Sequence, residues 1–147
     1  MSQRAFPSAL PVVLVLCLCA CSSQLQPEVQ PPPPPQPQLH ASFSLAPEQT
    51  VAIAGTSLQL TFVKMIGDSR CPSGVECFWA GSADLELKVT SGTESTLITL
   101  STHRQKEASA FGHRIQLEDV TPYPAKDQQI APSQYKAILK VTPLPKG

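Results

Sequence analysis

The chain has 147 residues, with 11 basic and 11 acidic side chains and no formal net charge at pH 7. This length suits one domain, and the balanced charge gives no electrostatic basis for binding nucleic acid. Of the five cysteines, three lie in an apolar N-terminal stretch and two in the body of the chain, so the two groups are interpreted separately.

Residues 1–20 are predicted to be a signal peptide. Arg4 precedes an apolar run from Ala9 to Ala20, which only Pro11 interrupts. At about 12 residues this run is too short to cross a bilayer comfortably as a permanent helix. We therefore expect the segment to direct export and then to be removed.

The end of the apolar run, Leu18-Cys19-Ala20-Cys21, resembles the lipobox of bacterial lipoproteins. The resemblance implies cleavage before Cys21, a diacylglycerol on its thiol and an acyl chain such as palmitate on its new amine. Two or three chains make membrane attachment lasting. Ser22 stands where an aspartate would retain such a lipoprotein at the inner membrane, which implies the outer membrane as destination. The alternative is an ordinary secretory leader cut near Ala20.

Residues 21–41 are predicted to form a lipidated tether. They contain Pro27, the run Pro31–Pro35 and Pro37, with almost no apolar side chain to bury. Proline favours the extended polyproline II conformation, so the roughly 19 residues after Cys21 reach about 50 to 60 Å. A docking peptide for an aromatic-lined groove is the alternative interpretation.

Residues 42–147 are predicted to form an all-β domain. Apolar side chains alternate at period two, and no apolar stripe at helical spacing persists. We expect about seven short strands, packed as a single antiparallel Greek-key-like β-sandwich or as a small barrel. The segments are Phe43–Leu45, Val51–Ile53, Leu58–Met65, Ala83–Val89, Leu97–Leu100, Phe111–Leu117 and Tyr135–Val141. The third contains a phase break, which predicts either a bulge or a strand that exchanges one packing surface for another.

Cys71 and Cys77 are predicted to form a disulfide, because an exported protein occupies an oxidising compartment. Zinc is the alternative, but five intervening residues exceed the usual spacing and no second ligand pair follows. We expect the disulfide to lie beside a buried Trp79. The other interpretation is a crosslinked loop that presents Ser73–Glu76 to a partner, since such a loop loses little entropy on binding.

Val75, Glu76 and Arg70 are the candidate contact residues of this loop. Asp68 and Arg70 lie two positions apart, where they could pair with each other or fix the loop through backbone groups. As an exposed pair, they would contribute little to stability.

The 14 residues from Asp68 to Gly81 contain Asp-Ser-Arg-Cys-Pro followed by Cys-x-Trp-Ala-Gly. This pattern is similar to one in small bacterial lipoproteins of unassigned function. The resemblance implies no activity.

The sequence predicts no enzyme and no cofactor. Only His103 and His113 in the body could serve a catalytic serine, and no Gly-x-Ser-x-Gly turn is present. We expect His113 to be a partly buried strand residue that bonds to backbone. A small hydrolase or a metal-binding protein, acting through His113, is kept as an alternative.

Two further loops contain candidate binding residues. The Thr121–Pro132 segment is long for a compact β domain, and Pro122 and Pro124 hold Tyr123 stiffly between them. His103, Arg104 and Lys106 cluster in another loop, where they could bind a phosphate, a lipid head group or an acidic polymer; a solvated turn is the alternative.

The sequence thus predicts a lipid-anchored cell-envelope protein with a non-catalytic binding or structural β domain. Its expected partners are the membrane, through the lipid, and an envelope or host protein. The alternative from another functional class is an inhibitor of an envelope or host enzyme, acting through the disulfide loop or through the Tyr123 loop.

Overall fold

The computed structural model describes residues 35–145. The predicted signal peptide, Cys21 and most of the predicted tether lie outside the described residues. The strands, in chain order, are β1 (Ser42–Leu45), β2 (Thr50–Ala52), β3 (Leu58–Asp68), β4 (Ala83–Ser91), β5 (Glu94–Ser101), β6 (Glu107–Ala110), β7 (His113–Thr121) and β8 (Lys136–Pro143). A single 3₁₀ turn, Pro132–Gln134, precedes β8.

These strands form two four-stranded antiparallel sheets, with the orders β1-β8-β7-β6 and β2-β3-β4-β5. The predicted all-β sandwich is confirmed. The Greek-key connection is not found among the described strands, because neighbours within each sheet follow one another along the chain, except that β1 pairs with β8. Period-two alternation fixes which side chains face inward but carries no information on strand order, so this detail was beyond the sequence.

The core lies between the two sheets and is filled by alternating side chains. On β4, Ala83, Leu85, Leu87 and Val89 are all fully buried, as the alternation predicts. The opposite sheet contributes further buried side chains to the same core, namely Leu45, Ile115, Leu117, Val120, Ala137, Leu139 and Val141. Burying each large aliphatic side chain contributes about 1.5 to 3 kcal/mol, so these two inner faces hold the sheets together.

The long strand β3 is irregular near its end. Its register with β4 shifts between Phe62 and Lys64 and again between Met65 and Gly67. The predicted bulge is therefore confirmed, and bulges bend a strand and increase its twist. Beyond them, β3 leads into the cysteine-containing segment at Asp68.

The one strand that the sequence did not predict is β6, Glu107–Ala110. Its small and polar residues bury no large side chain, so the strand lacks the apolar alternation that marks the others. Phe111 and Gly112 form the turn to β7, with φ values of 47° and 72°. Phe111 therefore lies in a turn rather than in the predicted strand. His113 is partly buried, and its Nδ1 lies 2.8 Å from the Phe111 carbonyl oxygen, which confirms the predicted backbone-bonded histidine.

The described chain enters the sandwich at one end, and the disulfide-containing loop lies at the other. The Pro37 carbonyl accepts a bond from the Ala54 N–H at 2.8 Å, and the His40 N–H donates to the Val141 carbonyl at 2.9 Å. These contacts place the chain's entry at the end where β3 begins and β8 finishes, called here the tether end. At the opposite end, called the loop end, β3 finishes and β8 begins.

Candidate functional site

The disulfide loop, residues 69–82, projects from the loop end as a continuation of the β3–β4 hairpin. The Ser69 N–H donates to the Ser82 carbonyl and the Cys71 N–H to the Ala80 carbonyl, each at 2.8 Å. Cys71 and Cys77 form the predicted disulfide, with their Cα atoms 5.9 Å apart. The loop is therefore fixed at its base by a short ladder and at its tip by a covalent bond.

Gly81 allows the two arms of the disulfide loop to approach each other. Its φ is +68°, and a Cβ built on it would lie 1.8 Å from the Ser69 carbonyl oxygen. Glycine has no Cβ and adopts positive φ readily. The last residue of the Trp-Ala-Gly sequence is thus required by backbone geometry.

Arg70 is the centre of a buried hydrogen-bond network at the base of the loop. Its Nε donates to Asp68 Oδ1 at 2.9 Å and its Nη2 to Asp68 Oδ2 at 2.6 Å. Nη1 donates to the Val120 carbonyl, and Nη2 also donates to the Pro122 carbonyl at 2.9 Å. Arg70 is only 7% exposed, so the expectation of an exposed Asp68–Arg70 pair is wrong. The bulged end of β3 turns both side chains beneath the loop.

Burial and the charges in this network shift the pKa values of its ionisable side chains, Asp68 and Tyr135 among them. Burial alone would raise the pKa of Asp68, but the hydrogen bonds and positive charge of Arg70 outweigh burial and lower it. Burial and the Asp68 carboxylate raise the pKa of Tyr135, whose hydroxyl donates to Asp68 Oδ2 at 3.3 Å. At neutral pH the network therefore contains an ionised Asp68 and a protonated Tyr135.

The tyrosine loop, residues 122–131, lies against the disulfide loop. The Ser73 N–H donates to the Pro124 carbonyl at 2.9 Å, and the Lys126 N–H donates to the Ser73 carbonyl at 3.2 Å. The Arg70 Cζ lies 4.9 Å from the centroid of the Tyr123 ring, whose residue is 55% exposed. The disulfide loop and the tyrosine loop, which the sequence analysis treats as separate contact regions, are thus joined by direct hydrogen bonds.

The aromatic residues of the disulfide loop face solvent. Phe78 is 100% exposed and Trp79 83% exposed, with their ring centroids 6.5 Å apart. The expectation of a buried Trp79 beside the disulfide is wrong, because the loop extends past the end of the sandwich and has no second layer above it. Val75 and Glu76 are also exposed, whereas Arg70 lies in the interior and bonds to its own chain.

A groove of about 510 Å³ lies beside Trp79. Trp79, His103 and Arg104 line it, together with the small residues Ser69 and Ala80–Ser82. His103 and Arg104 lie in the loop between β5 and β6, as predicted from the sequence. Their position beside Trp79 was not predicted, since His103 lies 24 positions after Trp79 in the chain and no spacing rule connects them.

The two histidines of the body lie at opposite ends of the sandwich. His103 follows β5 at the loop end, and His113 begins β7 at the tether end. Within residues 35–145, no group of three or more His, Cys, Asp or Glu side chains is placed to hold a metal ion. In the same part of the chain, no helix has the length and apolarity needed to span a membrane.

Comparison of the chain with protein-family models, with curated proteins and with solved structures finds no match. The loop end must therefore be interpreted from its own geometry and chemistry.

Proposed function

We propose that this protein is a lipid-anchored cell-envelope protein whose non-catalytic β domain binds a partner through its loop end. The observation that carries the proposal is the exposure of Phe78 and Trp79 on a crosslinked loop. Isolated exposed apolar residues are ordinary, but two adjacent large aromatics without packing contacts to the core are characteristic of recognition surfaces.

The other residues between Asp68 and Gly81 support a binding role for Phe78 and Trp79, because several of them have a structural role. Asp68 and Arg70 form the buried network, Cys71 and Cys77 the disulfide, and Gly81 the close approach at the base. The same segment leaves its two aromatic side chains in water. Their exposure contributes nothing to the core, so we assign them to an intermolecular contact.

The loops at the loop end are also held by a disulfide and by hydrogen bonds, which favours binding. The disulfide, the hydrogen bonds between the loops and the Arg70 network each restrict the loops before any partner arrives. A restricted loop loses less conformational entropy on association, so more of the contact energy is expressed as affinity.

The proposal includes a lipid anchor that precedes the β domain in the chain. In the proposal, Cys21 is lipidated and held at the outer membrane, and residues 22–36 separate it from the domain. The described chain enters the sandwich at the tether end, which is opposite the loop end. Partners in the envelope or on a host would then be within reach of Phe78, Trp79 and Tyr123.

Site-specific photo-crosslinking in cells tests the binding role. A photoreactive residue placed at Phe78 of the full-length protein is expected to give a discrete adduct with an envelope component. The matched position is Thr93, which is exposed in the β4–β5 turn at the tether end. Equal labelling from both positions, or none from Phe78, would remove the basis for a recognition surface.

Intact mass tests the anchor separately. Protein extracted from native membranes should begin at Cys21 and carry a diacylglycerol and an acyl chain. A Cys21→Ser variant should lack both. An unlipidated wild-type mass would overturn the proposed localisation but leave the binding role to be tested alone.

The second candidate is an inhibitor of an envelope or host enzyme. It is favoured by the continuous exposure of Ser73–Ala80 on a crosslinked loop, a shape that suits insertion into a cleft. It predicts tight one-to-one binding to a hydrolase. Replacing Val75 and Glu76 should then abolish inhibition while the free energy of unfolding stays unchanged, whereas a binding module that relies on Phe78 and Trp79 would retain its partner.

A further inference from the structure

We infer that the groove beside Trp79 binds an anionic saccharide. The inference rests on the proposed binding role of the loop end and specifies the chemistry of one ligand. The groove volume, about 510 Å³, lies within the range of small-ligand sites. The residues that line it supply two different kinds of contact.

The first contact is the indole of Trp79, which is the only tryptophan in the chain and is 83% exposed. Its ring offers a flat apolar face with negative potential, against which the C–H groups of a sugar ring can pack. Next to it, Ser69 and Ala80–Ser82 have small or absent side chains. A ring stacked on the indole can therefore approach the backbone without steric obstruction.

The second contact is a cation. The loop that carries it is fixed, because the Ser101 hydroxyl accepts bonds from the His103 and Arg104 N–H groups at 3.4 and 3.3 Å. Arg104 is exposed, and within residues 35–145 it forms no ion pair. No acidic side chain lines the groove. A guanidinium in this setting binds carboxylate or phosphate through two parallel hydrogen bonds.

The backbone around the groove argues against an extended peptide as the ligand. Peptides that add to a sheet need free backbone groups to pair with. Here the Ser69 N–H donates to the Ser82 carbonyl, and the Ser82 N–H donates to the Ser69 hydroxyl. Nearby, the Thr102 N–H donates to the Ala83 carbonyl, and the Ala83 N–H donates to the Thr102 hydroxyl. We therefore assign recognition to the indole face and to Arg104, which together fit a sugar ring bearing a negative charge.

Because Trp79 is the sole tryptophan, its fluorescence reports on the groove directly. The full-length protein, in a zwitterionic detergent that contains no sugar, is titrated with methyl glucuronide, glucose 6-phosphate and neutral methyl glucoside up to about 10 mM. A saturable blue shift with one or both anionic probes, and a response at least about tenfold weaker with the neutral probe, is expected. Which anion responds distinguishes carboxylated from phosphorylated saccharides as the source.

The matched variants are Arg104→Gln and Arg114→Gln. Arg104→Gln should weaken the anionic response about tenfold, whereas Arg114→Gln, which alters an exposed arginine on β7, should not change it. The absence of a shift with any sugar, or equal shifts for all three, would overturn the inference. So would displacement of a bound sugar by the acidic peptide hexaglutamate at a concentration lower than that of the sugar. If the Phe78 crosslink forms and no sugar responds, only the saccharide inference fails. If neither occurs, the binding role fails as well.

Discussion

The Arg70 guanidinium faces the Tyr123 ring, with Cζ 4.9 Å from the ring centroid, while its N–H groups bond to the carbonyls of Val120 and Pro122. A side chain at the end of β3 therefore fixes an exposed aromatic residue on a different loop. The cation–π contact contributes about 0.5 to 2 kcal/mol, less than the charged hydrogen bonds that accompany it.

Replacing Arg70 by Met should lower the free energy of unfolding by about 3 to 5 kcal/mol, because Asp68 would remain buried without its partner. Urea denaturation followed by circular dichroism measures the change. Arg114→Met is the control, since its ion pair with Glu107 is long, at 3.7 Å, and about half exposed, and such pairs contribute about 0 to 1 kcal/mol. Similar losses in the two variants would contradict the special role of the Arg70 network.

The stability contribution of Asp68 should depend on acid pH. Its folded-state pKa is lowered below the ordinary value of 3.8. The ionised pair therefore stabilises the fold fully above about pH 4 and loses its effect as the pH falls through the lowered pKa. The difference in free energy of unfolding between wild type and Asp68→Asn should shrink between about pH 4 and pH 2. A constant difference over this range would show that Asp68 acts through its shape alone.

The disulfide loop shows where sequence interpretation succeeds and where it stops. The disulfide followed from the expected compartment, and the strands on either side followed from period-two alternation. Arg70 and Trp79 were misplaced, because a polar residue is normally exposed and an apolar one normally buried. At the end of a bulged strand both expectations reverse: Arg70 turns inward to the carbonyls of Val120 and Pro122, and Trp79 extends beyond the core.

The contacts between loops that are distant in the chain also could not be predicted from the sequence. Tyr123 and the disulfide loop were each proposed as contact regions, but only the strand order places them together. The groove between Trp79 and Arg104 depends on the same relationship between β3, β4 and β5. Local periodicity determines the strands, whereas the surface at the loop end depends on how those strands are arranged.

Gly81→Ala should be among the most destabilising single changes in the disulfide loop. The added Cβ would overlap the Ser69 carbonyl, and positive φ alone costs an alanine about 1 to 2 kcal/mol. Gly92→Ala separates the two effects, because Gly92 also has a positive φ, of +59°, but a Cβ added there would meet nothing within 4 Å. Thermal unfolding should show a clearly larger loss for Gly81→Ala, and equal losses would refute the steric account.

Removing the disulfide with Cys71→Ser and Cys77→Ser should lower the free energy of unfolding by about 2.4 kcal/mol, the chain-entropy value for a loop of about seven residues. The β-sandwich should remain folded, since its core does not include this loop. Denaturation of wild type with and without reductant gives an independent comparison. Complete unfolding on reduction would show that the loop supports the core more than its contacts indicate.

Trp79→Ser should change the free energy of unfolding by no more than about 0.5 kcal/mol, because the side chain is exposed. The wild-type protein should emit close to free tryptophan in water, and iodide should quench that emission readily. Leu85→Ala, in the core, should instead cost about 2 to 5 kcal/mol. A blue-shifted, unquenched emission in the free protein would show that Trp79 is covered.

The pairing of β1 with β8 also determines how the domain responds to mechanical load. β1 runs from the tether end toward the loop end, and its four residues are all in register with β8. A pull on the N-terminal segment against a partner held at the loop end would act along the strand axis. All the β1–β8 hydrogen bonds would then be strained together in shear, instead of opening one after another. β1 is thus oriented so that its bonds would share a force applied through the segment that precedes it.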